Sequence, residues 1–160
     1  MKQYVTDIAD MAISKEPDSQ LVTFSLGSCI GVAIYDSEKK VGGLLHFMLP
    51  DSTIDPDKAK DKPCMFADTG IPKLFKSAYQ LGLEKSKTRV VVVGGAQVIG
   101  SDETLKIGMR NYAALRKIFW KNNILISAED VGGTTNRSLF LDIGTGKIWI
   151  RNSMKSTKSL

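Results

Sequence analysis

Cys29 and His46 are the two residues of this 160-residue chain whose types and spacing could do chemistry. The chain has two cysteines and one histidine, and an imidazole beside a thiol can remove its proton and stabilise the thiolate. Apolar residues alternate on both sides of a polar stretch at 36–40, which predicts a β-hairpin. A loop centred between Ser37 and Glu38 sets Cys29 directly opposite His46. Directly opposed Cβ atoms lie about 4.5–5.5 Å apart, so this register predicts a thiol–imidazole contact.

A catalytic set of this kind also needs a third group that holds the histidine in one tautomer. Asp36 lies at the far end of the predicted hairpin, so we assign this role to Thr23, on the preceding strand. A hydroxyl orients histidine less strongly than a carboxylate does, and we therefore expect a modestly activated thiolate. The backbone N–H groups around Gly27, Ser28 and Cys29, where glycine lets the chain turn, are candidate oxyanion donors.

Small residues near the cysteine favour a binding site over a plain core. The predicted register places three of them on the two strands around the face of the cysteine: Gly31, Ala33 and Gly42. A core is normally filled by side chains, so small residues there would leave space for a substrate.

Structural roles for these residues stay open at this point. A cysteine at a strand end is often a buried small apolar residue, and a single strand histidine is often structural. Structural zinc needs four ligands, and a second closely spaced pair is missing, so Cys64 is interpreted as an inert buried thiol. The run Gly94-Gly95-Ala96 lacks the residues of a phosphate loop, and we interpret it as tight backbone packing. We expect no metal and no cofactor.

Composition limits the classes of protein that this chain can represent. With 42% hydrophobic and 24% charged residues, it is typical of a globular domain. No apolar run approaches the ~20 residues that span a bilayer, and the acidic N-terminus does not match a signal peptide. We therefore expect a cytoplasmic protein without membrane insertion. The net charge of +5 comes without a basic, aromatic stripe, which argues against nucleic acid as a partner.

Strand patterns flank the hairpin on both sides. They predict an opening extended segment at 4–14 and strands at 21–25, 89–93, 124–130, 137–142 and 147–151. The run RVVVV at 89–93 shows no polar alternation, so it is predicted to be a central strand buried on both faces. We predict one domain over 1–150, followed by a basic, disordered tail over 151–160.

Two helices interrupt these strands. The first is predicted to be capped by Asp68 or Thr69, with Pro72 in its first turn. The second is predicted to be capped by Ser101 or Asp102. Residues 51–61 are polar and are predicted to be a loop that could act as a rim or lid. The order of elements predicts an α+β fold, a layered α/β sandwich with mixed, largely antiparallel sheets and two main helices.

Several short motifs, in this order, make the chain resemble a known family. They are Leu26-Gly27-Ser28-Cys29, Gly42-Gly43 with His46-Phe47-Met48-Leu49-Pro50, Gly94-Gly95-Ala96, Ile107-Gly108 with Arg110-Asn111, and Asp130-Val131-Gly132-Gly133. The chain resembles the CheD family, the chemoreceptor glutamine deamidases of bacterial and archaeal chemotaxis. It departs from the family pattern at Phe24-Ser25, where a glycine-containing pair is more usual, and at 134–137, where a glycine is expected before the arginine.

The resemblance implies a protein-glutamine glutaminase that converts selected glutamine side chains of methyl-accepting chemoreceptors to glutamate and releases ammonia. The cysteine, histidine and threonine of the family fall on Cys29, His46 and Thr23. The resemblance also implies a fold similar to the catalytic domains of deamidating bacterial toxins, and a CheC-type phosphatase as a partner that competes with receptors. The alternative is a regulatory module that engages and stimulates such a phosphatase and uses the same site as a docking pocket.

Overall fold

Two five-stranded sheets and three helices build the part of the chain that this computed structural model describes, residues 1–97 and 106–160. The strands are β1 (Lys2–Val5), β2 (Asp10–Ser14), β3 (Ser19–Leu26), β4 (Ile30–Asp36), β5 (Val41–Phe47), β6 (Thr88–Gly94), β7 (Ala128–Val131), β8 (Arg137–Asp142), β9 (Ile148–Asn152) and β10 (Thr157–Ser159). The helices are α1 (Pro56–Asp61), α2 (Ala67–Gln80) and α3 (Ile107–Lys121). The predicted α+β fold is confirmed.

Both sheets are mixed, as predicted. The first sheet has the order β1-β3-β8-β9-β10, and the second has the order β2-β5-β4-β6-β7. The pairs β1–β3 and β6–β7 are parallel, and the other six strand pairs of the described residues are antiparallel. None of the helices in residues 1–97 and 106–160 is long and apolar enough to cross a bilayer.

The strand β6 shows how the layers pack. Val90 and Val92 lie in a core cluster with side chains of α2 and α3, whereas Val91 and Val93 lie in a cluster that includes residues of the first sheet. Successive strand side chains point to opposite faces, so the second sheet is covered by helices on one face and by the first sheet on the other. The prediction of a central strand buried on both faces is confirmed.

The hairpin of β4 and β5 forms, but the predicted register is wrong. Gly31, and not Cys29, lies directly opposite His46, and Cys29 precedes β4 in a bend. The ladder closes with Asp36 opposite Val41, which centres the loop one residue later than predicted.

The Asp36 carboxylate explains this loop. Its Oδ1 accepts the backbone N–H groups of Glu38 and Lys39, at 2.9 and 3.1 Å. An aspartate side chain that bonds the backbone two and three residues ahead stabilises a longer turn, and here the turn covers residues 37–40. A shift of the turn centre by one residue moves every cross-strand partner by two.

Residues 51–61 are helical where we predicted a loop. A 3-10 turn spans Ser52–Ile54, and α1 follows it. The Asp55 carboxylate accepts the N–H of Lys58, and Pro56 occupies the first helical position, so the segment carries a helix start within its polar sequence.

The start of α2 also differs from the prediction. The helix begins at Ala67, so Pro72 lies inside it and neither Asp68 nor Thr69 is the cap. The Asp68 carboxylate instead accepts the backbone N–H and the hydroxyl of Ser52, at 2.9 and 2.6 Å. This contact joins α2 to the turn that follows β5. The predicted caps of the second helix, Ser101 and Asp102, lie outside the described residues.

The C-terminal segment 151–160 is not the disordered tail that we predicted. The strand β9 continues to Asn152, and Thr157–Ser159 pair with it as β10. The Asn152 side-chain oxygen accepts the N–H groups of Met154 and Ser156, at 2.9 and 3.1 Å. This side chain builds a tight turn, which lets a basic and polar segment return along the edge of the sheet.

Candidate active site

His46 and Cys29 both face the space between the two sheets. The His46 imidazole contacts Thr23 of β3, in the first sheet, and Cys29 packs against the cluster of apolar side chains between the sheets. Cys29 comes two residues before Gly31, the direct partner of His46, in the bend that leads into β4.

Thr23 forms the predicted contact with the histidine. Its Oγ1 lies 2.7 Å from His46 Nδ1, and both side chains are buried. The same hydroxyl donates its proton to the backbone carbonyl of Thr6, at 2.7 Å. A hydroxyl has one proton, so Thr23 Oγ1 must act as acceptor toward the ring, and Nδ1 must carry the hydrogen.

This hydrogen-bond chain fixes the tautomer of His46. With the proton on Nδ1, the other nitrogen, Nε2, holds a free lone pair. Nε2 is buried and has no hydrogen-bond partner among the described residues. A buried polar atom without a partner is costly, so its presence suggests a function. An unpartnered Nε2 lone pair is what a general base requires.

A short N-terminal crossover, residues 6–9, holds the threonine and the histidine together. It joins β1 of the first sheet to β2 of the second. Thr6 N–H donates to Val22 O at 2.7 Å, and Ala9 N–H donates to His46 O at 2.9 Å. Sequence reasoning missed this segment, because a backbone carbonyl that accepts a hydrogen bond leaves no mark on residue type.

Burial sets the protonation states of the site. It lowers the pKa of His46 to about 4, and the nearby Asp7 carboxylate opposes this only in part. It raises the pKa of Cys29 to about 11, against a smaller opposing effect of the Cys29 backbone N–H. Both shifts favour the neutral forms. These directions favour a thiol and a neutral imidazole at rest over the modestly activated thiolate that we expected.

The turn that carries Cys29 is anchored through three successive carbonyl groups. Gly27 O accepts the N–H of Ala96 at 2.9 Å, and Cys29 O accepts the N–H of Gly95 at 2.8 Å. Ser28 O accepts Nδ2 of Asn111 at 2.9 Å. Within residues 1–97 and 106–160, the backbone N–H groups of Gly27, Ser28 and Cys29 have no acceptor. These N–H groups suit the oxyanion role assigned to this turn.

Close backbone packing supports the turn from behind. A Cβ on Gly94, which has φ +115°, would lie 2.3 Å from Cys29 O. This confirms the interpretation of Gly94-Gly95-Ala96 as a tight approach. On the preceding strand, a β-bulge between Thr23 and Leu26 places Ser25 at φ 58°. Glycine adopts this conformation easily, which accounts for the glycine usually expected near this position.

The small-residue face does not hold a substrate. A Cβ on Gly31 would meet Leu26 Cδ1 at 2.8 Å, and one on Gly42 would meet Ile143 Cδ1 at 2.6 Å. Ala33 is fully buried. The prediction of a cleared pocket is wrong, because the first sheet packs directly onto these positions.

The second cysteine lies elsewhere in the fold. Cys64 is 4% exposed and belongs to the helix-facing core cluster, as its interpretation as a buried thiol predicted. In the described part of the chain, no three His, Cys, Asp or Glu side chains are grouped so that they could hold a metal ion.

Comparison with known proteins assigns the family. The model of the family described as CheD chemotactic sensory transduction matches residues 48–152. The chain belongs to the CheD family. It is 51% identical over 153 residues to "Probable chemoreceptor glutamine deamidase CheD 1" of Syntrophus aciditrophicus, covering 96% of each chain.

Two further relatives support this assignment. A "Probable chemoreceptor glutamine deamidase CheD" of Solibacter usitatus is 45% identical, over 97% of this chain and 92% of its own. The protein of the same name from Desulforamulus reducens is 44% identical, over 90% and 87%. The match to the family model begins after Thr23, Cys29 and His46, whereas the match to the Syntrophus protein covers almost the whole chain.

Proposed function

We propose that this CheD protein hydrolyses glutamine side-chain amides of methyl-accepting chemoreceptors to glutamate, with Cys29 as the nucleophile. The hydrogen-bond chain from Thr6 O through Thr23 to His46 carries this proposal, because it leaves Nε2 as a base on the face that also holds the thiol. The names of the relatives supply the substrate class.

Acylation begins from the neutral pair. Nε2 of His46 takes the thiol proton while Sγ of Cys29 bonds to the carboxamide carbon, and the carbonyl electrons move onto oxygen. Thiolate and imidazolium form together and attract each other strongly in this buried site, which offsets the burial that keeps each group neutral at rest. The backbone N–H groups of Gly27, Ser28 and Cys29 stabilise the oxyanion.

Leaving-group departure and hydrolysis complete the cycle. The carbonyl re-forms as the C–N bond breaks, and His46 gives its Nε2 proton to the nitrogen, which leaves as ammonia. Water then adds to the thioester while Nε2 takes a proton. The C–S bond breaks, and the thiolate recovers its proton from His46. One water is consumed, and the new carboxylic acid ionises to glutamate.

His46 serves as base and acid in alternation, and Thr23 keeps its proton on the same nitrogen between steps. Acid–base help of this kind contributes about 10²–10⁴-fold to the rate. Each turnover adds a negative charge to the receptor and creates a glutamate that a methyltransferase could modify. The CheC-type phosphatase remains a proposed partner at the same face of the protein.

The test is mass spectrometry of receptor cytoplasmic fragments after incubation with three proteins: wild type, Cys29→Ala and Cys64→Ala. We expect conversion of glutamine to glutamate by wild type and by Cys64→Ala, and a loss of at least about 10⁴-fold in Cys29→Ala. Cys64 is the matched control, since it is the other cysteine of the chain and lies in the helix-facing core, away from His46.

Conversion by Cys29→Ala at the wild-type rate would refute the cysteine mechanism. The proposal that receptor glutamines are the substrate would still hold. Absence of conversion by all three proteins, on fragments that another deamidase can convert, would favour the regulatory module instead. If the protein is such a regulatory module, wild type and Cys29→Ala should both stimulate the activity of a CheC-type phosphatase.

A further inference from the structure

Asn111 is a fully buried polar residue to which the sequence analysis assigned no role. It lies on α3 and is 0% exposed. Its Nδ2 donates to Ser28 O and to Met48 O, both at 2.9 Å. Both partners are carbonyl oxygens, so the orientation of the carboxamide is fixed, with its NH₂ group toward them. Oδ1 is buried and has no partner among the described residues.

The two carbonyls that Asn111 holds belong to the two halves of the site. Ser28 precedes the nucleophile, and Met48 comes two residues after His46, just beyond the end of β5. One side chain therefore spans the segments that carry the thiol and the imidazole. A buried Oδ1 without a partner among the described residues lowers stability, which a residue kept only for stability would not be expected to do.

Gly108 brings α3 close enough for this contact. A Cβ at this position would lie 2.5 Å from Ala96 O and 2.5 Å from Gly95 O, so the first turn of α3 rests on the backbone of that loop. Asn111 lies three residues later, on the same helix face. The same loop donates to Gly27 O and Cys29 O, so helix and loop hold the cysteine turn from two sides.

The peptide between Ser28 and Cys29 is planar and trans, so its N–H and C=O point in opposite directions. Because Asn111 holds Ser28 O, the N–H of Cys29 points away from Asn111. The N–H and the thiol of Cys29 belong to one residue, so the donor and the nucleophile lie next to each other in the turn.

We propose that Asn111 is a positioning residue for the oxyanion donors: by holding Ser28 O and Met48 O, it aims the Cys29 N–H at the reacting carbonyl. This inference rests on the proposed deamidase function. Asn111 acts through the backbone of the turn and does not contact the substrate.

The test compares Asn111→Leu, which keeps the side-chain volume but removes both donors, with Asn122→Leu. Asn122 Nδ2 donates to Ile118 O at the exposed far end of the same helix. For Asn111→Leu we expect kcat for receptor deamidation to fall about 10²-fold, as when one oxyanion donor is lost, with KM within about threefold of wild type. Asn122→Leu should retain wild-type kcat.

Alkylation of Cys29 by iodoacetamide distinguishes positioning from general collapse. This displacement at a saturated carbon builds no oxyanion, so its rate in Asn111→Leu should stay within about twofold of wild type at each pH. Wild-type kcat in Asn111→Leu, or a parallel loss of alkylation and deamidation, would overturn the proposal. If Asn111→Leu does not fold, Asn111→Ser, which removes the carboxamide without placing apolar atoms against the carbonyls, takes its place.

A readout without turnover separates this inference from the proposed function. If wild type deamidates no receptor, the function fails, but the backbone amide signal of Cys29 in a ¹⁵N–¹H spectrum still reports on the turn. We expect that signal to shift in Asn111→Leu and to stay in place in Asn122→Leu. An unchanged Cys29 signal in both variants would overturn the positioning role whatever the activity.

Discussion

The turns that carry the two cysteines of this protein are similar in backbone packing and in the effect of burial on the thiol. They differ in the groups that surround the thiol. A glycine packs against each backbone: Gly94 would place a Cβ 2.3 Å from Cys29 O, and Gly70 would place one 3.2 Å from Cys64 Cα. Burial raises the pKa of both thiols. What distinguishes Cys29 is the surroundings of its turn.

A threonine hydroxyl also ties each region to a carbonyl group. Thr23 donates to Thr6 O near the first cysteine, and Thr69 donates to Pro63 O beside the second. Only in the first case, within the described residues, does the threonine also accept from a histidine ring. Burial and backbone packing are thus common to both cysteines. The proposed reactivity of Cys29 rests on an imidazole nitrogen without a partner and on N–H groups without an acceptor among the described residues.

Replacing the two threonines should separate the regions most clearly. Thr23→Val removes the acceptor for His46 Nδ1–H and frees the ring to change tautomer, so we expect kcat for deamidation to fall about 10²-fold or more. Thr69→Val should retain wild-type kcat. Thr23→Ser, which keeps the hydroxyl, should recover most of the loss. Equal activity of the two valine variants in a receptor-fragment assay would contradict the role of Thr23 in orienting His46.

The two glycines offer a second comparison, in stability. Gly94→Ala combines a strained φ with a Cβ that cannot fit, so we expect the free energy of unfolding to fall by about 2–5 kcal/mol. Gly70→Ala gains helix propensity against mild crowding and should stay within about 1 kcal/mol of wild type. Urea unfolding measures both. A Gly94→Ala protein as stable as wild type would contradict the close approach to Cys29.

The pH dependence of stability should reveal the buried imidazole. Its folded pKa of about 4 lies below the ordinary value near 6.5. As pH falls from 6.5 to 4, the unfolded chain takes up a proton that the folded protein refuses, so the free energy of unfolding decreases. The expected loss is about 3 kcal/mol, and it should level off below pH 4.

His46→Gln lacks this proton and should lose about 3 kcal/mol less than wild type over the same range. Cys64→Ala serves as the matched variant, with the wild-type slope. Denaturant titrations at pH 7, 5.5 and 4 measure the difference. Parallel curves for wild type and His46→Gln would mean that the imidazole is not held neutral.

The rates of thiol alkylation of Cys29 and Cys64 should differ by the smallest factor among these comparisons. Cys29 is half-buried and Cys64 is 4% exposed, so iodoacetamide should label Cys29 at least about tenfold faster in the folded protein. Because the pKa of Cys29 is raised to about 11, its rate should climb about tenfold per pH unit between pH 7 and 9. Peptide mass spectrometry measures these rates. If the alkylation rate of Cys29 reached a plateau below pH 8, the thiolate predicted from the sequence would be present at rest.

Local patterns predicted the fold well where each element carries its own signal. The valine run of β6 correctly predicted a strand buried on both faces, and β8 begins and ends at the predicted residues. The hairpin register failed because one carboxylate, that of Asp36, sets the length of the turn. Periodicity is the same for either register, so it could not decide between them.

The site divides in the same way. The residue types that can do the chemistry, a thiol, an imidazole and a hydroxyl, are written in the sequence, and the threonine–histidine contact was predicted from strand order. The tautomer of His46 depends on Thr6 O, which is 17 residues from Thr23 in the chain and has no side-chain signature. The hold of Asn111 on Ser28 O joins residues 83 apart.

Residue type and local periodicity therefore determined the elements and the chemical groups of this protein, because both act over a few neighbouring residues. The tertiary structure alone decided the tautomer of His46, the filled face at Gly31 and the directions in which burial shifts the pKa values of Cys29 and His46. Each of these depends on contacts between distant segments or on the removal of water, and desolvation is a property of the packed molecule.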